Sequence, residues 1–160
     1  MDDLTGIIER LMGAEVDFVL VGGLAAVTHG SSMTTQDIDI CCAFSPDNIL
    51  RIQSALADVH PVHRMTPKRI PLELTEQQCA SLKNLYLDTD IGQLDCLGEV
   101  LGLGNFDAVK RLSESIDVDG KECRLLTLEA LIRAKQAMGR PKDIETIRQL
   151  EAIRKERNPD

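Results

Sequence analysis

Asp37 and Asp39, in Asp37-Ile38-Asp39-Ile40, are the residues of this chain best suited to chemistry. Polar and apolar residues alternate there, so an extended backbone turns both carboxylates to one face. Side-by-side oxygen donors suit Mg²⁺, which keeps several waters and needs only one or two carboxylates plus substrate phosphate oxygens. Phosphoryl and nucleotidyl transfer use such ions to neutralise a triphosphate and polarise the reacting phosphorus. Upstream stand Gly22-Gly23, separated from Asp37 by thirteen residues. Glycines there remove side chains, so backbone N–H groups at a helix start can approach phosphate oxygens. A lone Asp-x-Asp is commonly a solvated pair and a lone Gly-Gly commonly a turn. Strand, Gly-Gly, helix and carboxylate strand in that order make a coherent phosphate-plus-metal pocket.

The flanking sequence supplies the elements that position these residues. Leu4, Ile7, Ile8, Leu11 and Met12 form the apolar stripe of an amphipathic helix over 2–14, with Asp2 and Asp3 at its positive end. Phe18-Val19-Leu20-Val21 reads as a strand ended by the glycines, and Leu24 to His29 as a short helix closed by Gly30. The polar loop 31–36 leads into the carboxylate strand. Ser45-Pro46-Asp47 is an N-cap followed by an N1 proline, opening a helix over Ile49–Val59. Residues 60–75 hold three of six prolines and two of three histidines and are expected to be irregular, followed by a helical turn over 76–82. Strands are expected at Leu85–Leu87 and Gln93–Leu97 around a turn at Thr89–Gly92, where Asp88 and Asp90 read as turn residues. A helix near 105–112 and a hairpin turning at Asp119-Gly120 follow. Thr127 begins a helix running to Met138, Gly139-Arg140-Pro141 breaks it, and a last helix covers 142–156. This order describes an α/β chain, a mixed sheet with helices packed on it. A single domain over 1–160 is expected, with a core over about 1–100 and a helical part over about 105–157.

Composition narrows the function. The net charge is −8 and aromatics make up 2%, which disfavours general nucleic-acid binding, dependent on basic surfaces and stacking platforms. The charge is uneven. Residues 1–132 carry 10 basic and 21 acidic side chains, whereas residues 133–157 carry 8 basic and 4 acidic ones. That basic segment is either an anion site or a solvated helix. No signal pattern and no span of about 20 apolar residues is present, so a cytoplasmic protein with no membrane partner is expected. The five cysteines include no C-x-x-C pair and read as reduced, mostly buried residues.

The segment FVLVGGLAAVTHGSSMTTQDIDI resembles the hallmark of the polymerase-beta-like nucleotidyltransferase superfamily: hydrophobic strand, Gly-Gly or Gly-Ser, about a dozen residues, then Asp-hydrophobic-Asp. LYLDTDIGQLDCLGEV and LEALIRAKQAMGRPKDIETIRQLEAI are similar to later segments of small stand-alone bacterial members, themselves distantly similar to AbiE-type toxins. The resemblance implies a minimal nucleotidyltransferase fold with C-terminal helices packed on the sheet. It implies Mg²⁺, one ion or two, and transfer of a nucleoside monophosphate from a triphosphate to an acceptor hydroxyl on a small molecule, a protein or an RNA end such as that of tRNA. Catalytic silence, a toxin role with an antitoxin partner, and homo-oligomerisation stay open.

Asp95 occupies the position of the superfamily's third carboxylate, where it would complete the metal site and act as base. Gly22, Gly23 and Thr35 would lie along the phosphates. Lys135, Arg140 and Lys142 match the group's basic residues and would hold the triphosphate tail; alternatively, Arg140 and Lys142 pair with Asp143 and Glu145 or cap a helix C-terminus. Thr34 and Thr35 would either bond phosphate or stabilise their loop. His29 reads as packed, His60 and His63 as loop-shaping, and Cys41 and Cys42 as core.

Overall fold

The computed structural model describes residues 3–32, 35 and 37–159. Asp2 and Thr34, assigned roles above, lie outside them. The elements run α1 (Leu4–Gly13), β1 (Phe18–Val21), α2 (Gly22–His29), β2 (Asp37–Cys42), α3 (Pro46–Leu56), a 3₁₀ turn (Ala57–Val59), β3 (Val62–His63), α4 (Glu76–Cys79), β4 (Asn84–Thr89) and β5 (Gly92–Leu97). They continue with β6 (Glu99–Val100), β7 (Gly104–Asn105), α5 (Phe106–Arg111), β8 (Ser113–Val118), β9 (Lys121–Leu126), α6 (Leu128–Met138) and α7 (Asp143–Arg157).

Local chemistry fixes most boundaries. The Asp3 side chain accepts the Gly6 N–H at 2.9 Å and caps α1. Ser45 caps α3 with Pro46 as its first residue, and the Thr127 hydroxyl accepts the Ala130 N–H at 3.2 Å. Gly30 and Gly139 end α2 and α6 in the left-handed conformation.

Seven strands form one mixed sheet in the order β3-β4-β5-β2-β1-β9-β8, and β6 and β7 form a separate two-stranded ribbon. β2 lies between antiparallel β1 and parallel β5, so the carboxylate strand is central. Its first four residues alternate between half-buried and buried, and Cys41 and Cys42 are both buried. Ile38 and Ile40, with Leu94 and Cys96 of β5 and Leu85 and Leu87 of β4, are buried on one face. The apolar faces of α1 and α3 (Ile7, Leu11, Ile49, Ile52, Leu56) join the same core. Asp37, Asp39 and Asp95 occupy the opposite face, which α2, α6 and α7 border. Asn48, nearly inaccessible, ties the start of α3 to the sheet by bonding the Asp17 N–H and the carbonyls of Asp17 and Ala43. All five cysteines are buried, and Cys41 and Cys42 lie in the core.

Four expectations are corrected. Helix α2 begins at Gly22, not Leu24, so the glycines form its first turn. Helix α3 starts at Pro46, as the N1 proline implies, but ends at Leu56, three residues before the expected limit. The segment 60–75 is not wholly irregular: Val62 and His63 pair with Asp88 and Leu87, adding an edge strand. Asp88 is therefore a strand residue of β4, not a turn residue, whereas Asp90 does lie in the turn and meets His60 Nδ1 at 2.5 Å.

Candidate active site

Sheet register brings the three aspartates together. Asp39 of β2 stands opposite Asp95 of β5, and Asp37 lies two residues back on the face of Asp39. One oxygen from each of the three lies within 4.8 Å of the others, all half-buried. Like charges this close and this poorly solvated resist ionisation. Burial first, then the Asp95 and Asp37 charges, push Asp39 up to about 6, against the pull of Lys135 and Arg140. Asp95 is also raised, chiefly by burial, which outweighs its bond to Arg64.

The carboxylates border a cavity of about 390 Å³. Gly23 and Thr35 line it as well, together with Lys135, Arg140 and Lys142. All nine candidate residues thus fall at one place, Gly22 just behind Asp39. Gly22 has φ +70°, and an added Cβ would sit 2.9 Å from the Asp39 Cβ and closer still to its carboxylate, so only glycine fits there. Among the described residues no side chain caps α2, and its first-turn N–H groups begin where the cavity does. The Thr35 hydroxyl donates to the Asp37 carbonyl at 3.0 Å, bracing the entry to β2.

The basic residues are held from behind. Asp143, 2% exposed, accepts two bonds from Arg140 at 2.7 and 3.0 Å and lies 3.6 Å from Lys135 Nζ. Burial would raise its pKa, but the Arg140 bonds and the Lys135 charge outweigh that and lower it. The expected alternative therefore holds for Arg140 with Asp143, while Glu145 pairs with Arg148 instead. His29 is packed: its Nε2 donates to the Leu126 carbonyl at 2.7 Å and Arg157 reaches its carbonyl, tying α2 to β9 and α7.

Arg64 is the neighbour that the sequence reading missed. Its guanidinium donates to Asp95 Oδ1 at 2.6 Å and to the Leu87 carbonyl at 3.1 Å, and stacks 5.9 Å from the centre of the Tyr86 ring. Arg69 reaches Asp88 Oδ2 at 2.5 Å on the same face, and Asp88 Oδ1 is buried with no hydrogen-bond partner among the described residues. No local signal marked Arg64; the pairing of β3 with β4 carries it to Asp95, 31 residues away.

No family model matches the chain, and no curated protein matches it in sequence. Solved structures do. The lincosamide antibiotic adenylyltransferase LnuA, in its lincomycin-bound crystal structure, superposes with a TM-score of 0.61 at 15% identity, over 95% of this chain and 98% of that one. The antibiotic-resistance factor ANT(2'')-Ia gives 0.56 at 14% identity, over 94% and 88%. A candidate nucleotidyltransferase from Thermotoga maritima gives 0.53 at 19% identity, over 93% and 90%. The chain has the nucleotidyltransferase fold. In this nucleotidyltransferase-fold chain the superposition spans both the strand–Gly-Gly–helix–carboxylate segment and the C-terminal helices, as the coverage of 95% requires. Among the described residues no helix is long and apolar enough to cross a membrane.

Proposed function

We propose that this chain is a metal-dependent nucleotidyltransferase that moves a nucleoside monophosphate from a triphosphate to an acceptor hydroxyl. The observation that carries this reading is the convergence of Asp37, Asp39 and Asp95 on a cavity that Lys135, Arg140 and Lys142 also line.

The donor set fits a hard divalent cation such as Mg²⁺, because all three donors are carboxylate oxygens and their mutual repulsion is what such a cation would relieve. When bound, the ion supplies charge neutralisation and polarisation of the reacting phosphorus. The first turn of α2, opened by Gly22 and Gly23, presents N–H groups to phosphate oxygens, with Thr35 beside them. Lys135, Arg140 and Lys142 receive the β- and γ-phosphates, and Asp143 keeps two of them extended toward the cavity. Asp95 takes the proton of the acceptor hydroxyl, and Arg64 holds one of its oxygens in place. The acceptor oxygen bonds to the α-phosphorus, and pyrophosphate departs with the electron pair of the broken bond. ANT(2'')-Ia, also solved with adenylyl-2''-tobramycin, superposes with a TM-score of 0.55 at 14% identity, which supports a small-molecule hydroxyl as acceptor.

Calorimetry with ATP, CTP, GTP and UTP, with and without Mg²⁺, tests the site. At least one triphosphate should bind only with the metal, and Asp37→Ala or Asp39→Ala should weaken it at least tenfold. Binding indifferent to metal and to both substitutions would sink the reading.

A further inference from the structure

A second cavity, of about 310 Å³, adjoins the first and shares Asp39, Asp95, Lys135 and Arg140 with it. Its other walls differ in kind. Val21, Leu97, Val100, Leu126 and Leu131 face it from five separate segments, and Tyr86 closes one side. The loop bearing β6 and β7 is fitted to α6 to complete this wall. Gly102 has φ +84°, and a Cβ there would come within 2.6 Å of the Ala137 Cβ, so the loop lies flush on the helix only as glycine. Met138 at the end of α6 lines the cavity and is 41% exposed, a large apolar side chain left at its rim.

We propose that this cavity receives the acceptor, and that the acceptor is a small alcohol with a largely apolar body. The inference rests on the proposed function and adds the substrate class. Displacement at phosphorus places the attacking and leaving oxygens roughly in line. The leaving pyrophosphate belongs with Gly23 and Lys142, which line only the polar cavity. The hydroxyl must then enter across Asp39 and Asp95, and the space adjoining those carboxylates is the apolar one. The new bond joins the acceptor oxygen to the α-phosphorus, the bond from that phosphorus to pyrophosphate breaks, and the hydroxyl proton passes to Asp95. The products are a nucleotidyl ester of the alcohol and pyrophosphate. Aliphatic walls select the rest of the acceptor. Each polar group of a sugar or polyamine buried there without a partner loses its hydration uncompensated, whereas hydrocarbon gains by its area. The volume, about 310 Å³, lies at the low end for small-molecule sites.

Methyl-resolved NMR of the full chain with cyclohexylmethanol as probe tests this, beside glucose, tobramycin and adenosine. Cyclohexylmethanol should shift the Leu126, Leu131 and Met138 methyls saturably, and should still bind with Mg²⁺ and a triphosphate present. Ala134→Phe, which grows into the cavity from α6, should weaken the probe at least tenfold; Met138→Trp at the exposed rim serves if that variant fails to fold. The same alcohol should raise pyrophosphate release at least tenfold, with glucose and tobramycin inert. Stronger shifts by glucose or tobramycin, displacement of the probe by adenosine, or unchanged affinity in the filled variant would overturn the proposal. Calorimetric binding of the metal and triphosphate would meanwhile persist, which separates this failure from failure of the underlying function.

Discussion

Replacing Asp39 by asparagine keeps the shape of the side chain and removes a charge that the fold holds unfavourably. In metal-free protein, burial and then the neighbouring Asp95 and Asp37 raise its pKa from 3.8 to about 6. At about 1.4 kcal/mol for each tenfold change in proton affinity, ionised Asp39 destabilises the fold by about 3 kcal/mol at pH 8. The sign follows from the folded chain holding the proton more tightly than the unfolded one. This group's contribution to stability is complete below about pH 4 and is lost as pH rises through about 6. Asp39→Asn should therefore melt higher than the parent at pH 8 in chelator, by about 6–12 °C for a chain of this size. The gap should close near pH 4. Excess Mg²⁺ should raise the parent's melting temperature at pH 8 and leave that of the variant where it was. Thermal melts from pH 4 to 8, in EDTA and in Mg²⁺, read all of this. An asparagine variant less stable than the parent at pH 8 in chelator, or a gap that ignores pH, would refute the reasoning.

Substitutions at four further positions probe the surroundings. Gly22→Ala forces a methyl against Asp39 at a positive φ and should cost about 2 kcal/mol together with metal binding. Gly13→Ala, with open space at its Cβ position, should be neutral or slightly stabilising in the same denaturant titration. Arg64→Met leaves Asp95 without its 2.6 Å partner, so kcat should fall at least tenfold with KM for the triphosphate within about threefold, and the acid limb of the pH–rate profile should move to higher pH. Arg64→Lys should restore part of the rate. Asp143→Asn strands Arg140 and Lys135 and should destabilise the chain by about 3 kcal/mol, with triphosphate affinity down at least tenfold by calorimetry.

Much of this arrangement was legible because it is local. The alternation at Asp37–Ile40 put two carboxylates on one face, and caps such as Ser45 and Thr127 set helix starts within one turn. The mixed sheet followed from the order of elements. What sequence could not convey depends on pairing between distant segments. Arg64 reaches Asp95 only because two residues of a proline-rich stretch form an edge strand on β4. Asp88 read as a turn residue because its strand runs two positions beyond the apolar run at Leu85–Leu87. The glycines joined α2 because Gly22 takes up the close approach of β2, which no single segment encodes. The apolar cavity draws its aliphatic walls from five segments, each of which reads alone as ordinary core.

Label transfer bears most directly on the central claim. The protein is incubated with Mg²⁺, a small-molecule fraction of cell extract, and triphosphates labelled on either the α- or the γ-phosphate. A nucleotidyltransferase should move the α-label onto an acceptor and release the γ-label as pyrophosphate, with both signals lost in Asp37→Ala and Asp39→Ala. Transfer of the γ-label to the acceptor, or α-label transfer that survives both substitutions, would contradict the account.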